Sequence, residues 1–177
     1  MLNSKMNKQE YKKIRIKKNK ILKPKIRKKV SLFARTCNKA QIWINEMQKE
    51  LKRLEGDAIY HLLKAVLQSL RDQMSIHEAA HFSAQLPLIL RGSFFEGWNP
   101  YVTQQGAQSK DDFVASVKER LGPIGITTSE LEPSILVALN VIKKHISAGE
   151  IKDLVAVVDP SLKTFIESDR TNSNYSH

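Results

Sequence analysis

Residues 59–91 read IYHLLKAVLQSLRDQMSIHEAAHFSAQLPLILR, and residues 131–163 read LEPSILVALNVIKKHISAGEIKDLVAVVDPSLK. Five apolar positions of the first stretch return in the second at one constant offset: Ile59, Leu63, Leu67, Leu70 and Met74. Their counterparts are Leu131, Ile135, Leu139, Ile142 and Ile146. The capping pattern Ser75-x-x-Glu78 also returns at this offset, as Ser147-x-x-Glu150. A fixed offset between apolar positions and helix signals predicts one supersecondary unit used twice.

Helix signals divide the first copy, 40–98, into about four helices. Apolar residues three and four apart predict helices at about 40–55 and 57–73, with Gly56 as the stop between them. Ser75 caps a third helix that ends near Gln85. Pro87 lies in the first turn of the fourth helix, which continues until Gly97.

The second copy, 110–168, follows a linker at 99–109 and shows the same kind of signals. Its expected caps are Ser109, Thr127 and Ser147, with a break at Asp159-Pro160. Because almost no alternating Val/Ile/Thr pattern occurs, we expect an all-α fold of two tandem helical units forming one globular domain over 37–168. Residues 169–177 are polar and are expected to fray.

Positive charge is concentrated at the N-terminus. Of the 29 Lys and Arg, 14 fall in residues 1–36 beside one acid, Glu10, so this tail carries +13. The rest of the chain, 37–177, holds 15 bases and 17 acids, a net −2. Like charges at nearly every second position, interrupted by Pro24, predict a disordered basic tail in the isolated protein.

The single cysteine, Cys37, cannot form an intramolecular disulfide, and no signal peptide or membrane span is recognisable. We therefore expect a cytoplasmic protein without a transmembrane segment. No cofactor motif is evident, and Cys37 is interpreted as a structural thiol.

The stretch His77-Glu78-Ala79-Ala80-His81 fits the zinc-protease pattern H-E-x-x-H, in which two histidines four apart bind Zn²⁺ and the glutamate is a general base. Three features weigh against it. The second copy keeps the glutamate but not the histidines, Glu96 is the only candidate third ligand, and no strand is predicted beside the helix. A zinc-dependent hydrolase is therefore disfavoured, and the two histidines remain weak metal candidates.

The segment from Arg91 to Trp98 is dense in large and charged side chains. It either packs one copy against the other or forms an interaction surface, because aromatic and Arg residues dominate interface energetics. The candidate contact residues are Arg91, Phe94, Phe95, Glu96 and Trp98.

Three strings carry a family resemblance: LLKAVLQSLRD at 62–72, EAAHFSAQLPLILRGSFFEGW at 78–98 and SAGEIKDL at 147–154. They resemble the bacterial domain-of-unknown-function 2267 family over about 40–165. The resemblance implies a small, soluble, duplicated helical protein and brings no established activity. It implies variable acidic or polar residues at the positions of His77 and His81, and it does not extend to the tail.

Two functions therefore stay open beside the disfavoured hydrolase. One is a non-enzymatic helical interaction or regulatory module that contacts a protein partner or a second copy of itself. The other is sequence-independent binding of nucleic acid or another anionic surface through the tail. Its candidate residues are Lys12, Lys13, Arg15, Lys17, Lys18, Lys25, Arg27, Lys28 and Lys29.

Overall fold

The computed structural model describes residues 34–101 and 109–168, and within these ranges the chain forms eight helices and no strand. The predicted all-α class is confirmed for this part of the chain. The helices are α1 (34–50), α2 (Gly56–Arg71), α3 (Ile76–Gln85), α4 (Leu88–Phe95), α5 (Lys110–Leu121), α6 (Thr128–His145), α7 (Ala148–Val157) and α8 (Pro160–Glu167). The chain divides into two units, Met1–Asn38 and Lys39–His177. The second unit contains α2 to α8 and residues 39–50 of α1.

The helix bounds repeat at the offset found in the sequence. That offset, which carries Ile59 onto Leu131, also carries both ends of α3 onto those of α7 and both ends of α4 onto those of α8. It carries the start of α2 onto the start of α6, which runs two residues longer at its C-terminus. The agreement concerns the helix bounds alone, and the internal repeat stays a prediction. Most of the expected linker, 102–108, lies outside the described residues.

Serine caps begin several of these helices. Ser75 accepts a hydrogen bond from the amide of Glu78, and the Glu78 carboxylate accepts one from the Ser75 amide at 2.7 Å. Ser109 and Asp112 form the same reciprocal box at the start of α5. Each box satisfies helix amides that have no partner within the helix, which is why the Ser-x-x-acid pattern marked these helix starts correctly.

Two predicted boundaries were wrong. Gly56 is the first residue of α2 rather than a stop, because α1 already ends at residue 50. The chain turns between them, where the amide of Leu54 donates to the carbonyl of Leu51 and the Gln48 side chain donates to the carbonyl of Leu54. Pro87 is the N-cap of α4 and does not lie in its first turn.

α2 lies at the centre of the second unit and packs against α4, α5 and α6. Its apolar face, which includes Ile59 and Leu63, is fully buried together with Phe113 of α5 and Ile135 of α6. Burial of a side chain of this size contributes about 1.5–3 kcal/mol, so contacts across the two halves hold one shared core. None of the helices in the described ranges combines the length and apolarity needed to cross a bilayer. A cytoplasmic location stays a prediction.

Candidate functional site

The aromatic segment lies where α4 ends and the chain turns back. α4 ends at Phe95, Gly97 adopts a positive φ of 67°, and the amide of Trp98 donates to the carbonyl of Phe95. A positive φ strains residues with a Cβ, so glycine suits this turn. The turn brings the Trp98 ring centroid to 5.2 Å from that of Phe95.

The rings around this turn differ in exposure. Phe94 is fully buried, and its ring stacks on Phe82 of α3 with the centroids 5.7 Å apart. Phe95 and Trp98 are half-buried. Tyr101, three residues after Trp98, is 93% exposed. We call Phe95, Trp98 and Tyr101 the aromatic surface.

A buried arginine at the end of α2 contacts the inner side of this surface. Arg71 is 2% exposed, its guanidinium carbon lies 5.7 Å from the centroid of the Trp98 ring, and its Nη1 donates to the carbonyl of Phe94. Its Nε donates to Oδ1 of Asp72 at 2.8 Å, and the second carboxylate oxygen of Asp72 pairs with Arg120 of α5. The ion pairs join α2 to α5, and the carbonyl contact joins α2 to the end of α4.

The electrostatics of Arg71 follow from its position. Burial lowers the pKa of the Arg71 guanidinium below its ordinary value, while Asp72 acts to raise it. Arginine side chains are not deprotonated in proteins at neutral pH, so Arg71 carries a positive charge. A desolvated cation over an indole is worth about 2 kcal/mol or more, so this contact restrains the Trp98 ring.

Gln68, one turn before Arg71, also reaches the end of α4. Its amide nitrogen donates to the carbonyl of Ser93 at 2.8 Å and to that of Glu96 at 3.4 Å. The Ser93 hydroxyl lies 2.7 Å from the hydroxyl of Tyr60. The two Gln68 bonds add a side-chain donor at the end of α4, where carbonyls lack helix donors and the Ser93 carbonyl accepts only from the Glu96 amide of the backbone.

The five predicted contact residues therefore have different surroundings. The structure brings Phe94, Phe95 and Trp98 together, and Glu96 beside them is exposed and pairs with Lys64 at 2.7 Å. Arg91 points elsewhere, because its guanidinium donates to the carbonyls of Ser83 and Ala84 at the end of α3. Whether these residues form a contact surface stays a prediction.

Sequence reasoning missed three residues of this region. Gln68 and Arg71 lie off the apolar stripe of α2 in the sequence, yet both are buried. The apolar spacing alone cannot reveal that α4 and α5 cover this side. The sequence does indicate that Tyr101 is exposed, because Asn99-Pro100 marks a loop and Tyr101 follows it directly.

A groove of about 370 Å³ lies between α3 and α7. His77 and His81 of α3 line one side and Glu150 and Asp153 of α7 the other, over a floor that includes Phe82. The two imidazole centroids are 4.4 Å apart.

The two helices of this groove are joined where α3 ends and α7 begins. At one end, the side chain of Gln85, the last residue of α3, donates to the Ser147 hydroxyl at 3.0 Å and accepts from the Ser147 amide at 2.7 Å. Gln85 therefore accepts the hydrogen bond from the Ser147 amide, which the Glu150 carboxylate would accept in a complete capping box. The Glu150 carboxylate faces the groove instead.

The H-E-x-x-H residues lie on this groove without a preformed metal centre. The Glu78 carboxylate is engaged by the Ser75 amide, as the capping interpretation expects, and Glu96 pairs with Lys64 instead. Within the part of the chain that the structure describes, no group of three His, Cys, Asp or Glu side chains could hold a metal ion.

Two further predictions concern the N-terminal region. Cys37 is half-buried. All nine candidate nucleic-acid residues, Lys12 to Lys29, lie outside the described residues.

The fold and this region define a class: a small all-helical domain with an aromatic surface beside a buried arginine. Residues 40–165 match the family described as an uncharacterized conserved protein, DUF2267, and the chain belongs to this family. The expected family resemblance is thereby confirmed. No curated protein matches the chain.

Proposed function

We propose that this protein is a non-enzymatic helical interaction module whose aromatic surface contacts a protein partner. The observation that carries the proposal is the position of Trp98. Its ring is half-buried between Phe95 and the buried Arg71, while Tyr101 beyond it is almost fully exposed. Trp98 is thus restrained at the surface of the protein.

Restraint of this kind favours binding. Interface hot spots are enriched in Trp, Tyr and Arg, which offer large contact areas. A side chain that is already immobilised loses less entropy when a partner binds, and this loss otherwise costs about 0.5–1.5 kcal/mol per side chain. The ion pair of exposed Glu96 with half-buried Lys64 supplies a polar rim. Phe94 and Arg91 contribute indirectly. Phe94 packs α4 against α3, and Arg91 donates to carbonyls at the end of α3.

Photocrosslinking from the full-length chain in its own cells tests the proposal. A benzophenone amino acid replaces Tyr101 in one sample and Leu88 in the control, since Leu88 is 65% exposed at the opposite end of α4. We expect one recurrent protein to crosslink at position 101 and not at position 88. The same protein at both positions, or none at position 101, contradicts the proposal.

Affinity for the crosslinked protein then measures the contribution of the surface. Tyr101→Ala is expected to weaken binding about tenfold, the effect of a side chain worth about 1.4 kcal/mol, and to leave the melting temperature unchanged. Leu88→Ala is the matched control and should change neither quantity. An unchanged affinity for Tyr101→Ala would place the contact elsewhere.

A second function, binding of nucleic acid through the tail, is supported by charge alone. The tail carries 14 of the 29 basic residues beside one acid. The test measures binding of full-length protein to random-sequence DNA across a salt series, with five tail residues changed to Gln: Lys12, Lys13, Arg15, Lys17 and Lys18. The control changes five exposed lysines of the second unit: Lys49, Lys52, Lys118, Lys152 and Lys163.

Counterion release gives the expected difference. Each phosphate contact contributes about 0.9 to the slope of log affinity against log salt, so the tail variant should lose a slope of about 4 and the control almost none. Equal slopes for the two variants would contradict binding through the tail.

A further inference from the structure

We propose that the groove between α3 and α7 binds the basic segment 12–29 of a second copy of this chain. The groove belongs to the second unit and is independent of the aromatic surface. The inference rests on two properties of the groove, an apolar floor and a negatively charged rim. It rests equally on a segment of the sequence whose composition matches both.

The floor of the groove is apolar. Met74, Phe82 and Leu154 line it, although each is at most 4% exposed. Val157, the last residue of α7, also lines the groove and is 37% exposed. Ligand pockets in proteins measure about 300–1,000 Å³, so a groove of about 370 Å³ is of the size that holds a few side chains of a peptide.

The rim of the groove is negatively charged. Glu78 lines it from α3, and Glu150 and Asp153 line it from α7, while none of the Lys and Arg in the described ranges does so. The Glu78 carboxylate is engaged by the Ser75 amide. The carboxylates of Glu150 and Asp153 have no hydrogen bond or ion pair with any other described residue. Charges of one sign in a cleft raise the local concentration of the opposite charge, so this groove attracts a cationic ligand.

Residues 12–29 supply the complementary chemistry. They read KKIRIKKNKILKPKIRKK, with eleven Lys or Arg, five Ile or Leu and no acid. In the part KKIRIKK, each isoleucine has a basic residue on both sides. An isoleucine that contacts the apolar floor therefore brings cations close to the carboxylates of both helices. The charges steer the encounter and fix its register, and burial of the isoleucine adds an apolar contact.

This arrangement predicts that the protein self-associates. Each copy supplies both a segment and a groove, so two copies can exchange their segments in a closed pair with two identical contacts. The charged part of each contact is exposed to solvent. Because about 0.1 M salt screens exposed charges beyond about 10 Å, association should be tightest at low ionic strength.

Sedimentation velocity of the full-length protein at low salt tests the proposal, after nuclease treatment so that nucleic acid cannot bridge two copies. The groove variant combines Glu150→Lys with Asp153→Lys. Its matched control, Glu119→Lys with Glu167→Lys, makes the same change in net charge at two exposed acids outside the groove. We expect the dissociation constant to rise at least tenfold in the groove variant, where like charges meet, and less than threefold in the control.

A mixing experiment separates loss of the contact from loss of folding. The tail variant described above keeps the groove, and the groove variant keeps the segment. Each variant alone should associate at least tenfold more weakly than the wild type. A mixture of the two should associate more tightly than either alone, because the segment of one copy meets the groove of the other.

Three results overturn the proposal. The first is a wild-type protein that stays monomeric at every concentration. The second is an equal rise of the dissociation constant in the groove variant and its control, which shows that only net charge matters. The third is a mixture that associates no more tightly than its components.

Discussion

α2 and α6 begin at the same point of the repeat but end in different surroundings. Near the end of α2, Gln68, Arg71 and Asp72 are buried and bond to α4 and α5. Their counterparts at the end of α6, at the offset of the repeat, are Asn140, Lys143 and Lys144. These three are half-buried or exposed, and the Lys144 ammonium pairs with Glu46 of α1.

The difference lies in what covers the polar side of each helix. At α2, the carbonyls of Ser93 and Phe94 meet Gln68 and Arg71, so every buried donor named above has an acceptor. At α6 the buried Oδ1 of Asn140 has no hydrogen-bond partner among the described residues. An orphaned buried polar group costs about 1–3 kcal/mol. Buried donors at the end of α2 thus all have acceptors, whereas α6 leaves one buried oxygen, Oδ1 of Asn140, without a partner among the described residues.

The largest expected effect comes from Arg71→Met. The change leaves the Phe94 carbonyl without its donor and Asp72 with only Arg120. Breaking a buried ion pair costs about 3–5 kcal/mol, which lowers the melting temperature by at least about 6 °C for a domain of this size. Thermal unfolding measures this fall in melting temperature. For Lys143→Met, at the equivalent position of α6, the fall should be less than a third as large. Equal losses would remove the distinction between the two helix ends.

The next comparison pairs Gln68→Leu with Asn140→Leu. Gln68→Leu removes a side-chain donor from the carbonyls of Ser93 and Glu96, of which the Ser93 carbonyl keeps the Glu96 amide, and should lower the free energy of unfolding by about 1–3 kcal/mol. Asn140→Leu removes an unsatisfied acceptor and should leave stability unchanged or raise it. Urea unfolding of both variants measures the sign of the change in the free energy of unfolding. A loss of stability in Asn140→Leu as large as in Gln68→Leu would show that Asn140 is well satisfied.

Gln85→Ala tests the bond between α3 and α7. The variant loses both contacts with Ser147, and loss of a helix cap costs about 0.5–2 kcal/mol. Gln41→Ala is the control, because Gln41 bonds only to Asn45 on the exposed face of α1 in the contacts described. Hydrogen exchange should show faster opening at the start of α7 in Gln85→Ala alone. Unchanged exchange there would contradict the capping role of Gln85.

The smallest expected effect is the loss of stability at low pH when Glu46, which pairs with the end of α6, is protonated. Burial acts to raise the pKa of Glu46, but hydrogen bonds from Lys144 and His145 hold it below its ordinary value. A lowered pKa contributes stability above the ordinary glutamate value of about 4.3, and this stability is lost as the pH falls through the lower folded value. The melting temperature of the wild type should therefore approach that of Glu46→Gln below about pH 4. A difference that grows on acidification would contradict this sign.

The features that depend on local sequence signals, namely helix caps and apolar helix faces, could be predicted from the sequence. The Ser75 and Ser109 boxes and the apolar faces of α2 and α6 follow from spacing alone, and the structure confirms them. The burial of Arg71 and the contact between Gln85 and Ser147 depend on which helices meet in space, which spacing does not encode.

The proposed function requires that the end of α2 holds Trp98 in place for a partner. Time-resolved anisotropy of Trp98 tests it, in a Trp43→Phe background that leaves this residue as the one tryptophan of the chain. We predict that the indole moves with the whole protein, and that adding Arg71→Met introduces fast local motion. Fast, wide-amplitude motion of Trp98 already present with Arg71 intact would contradict the claim.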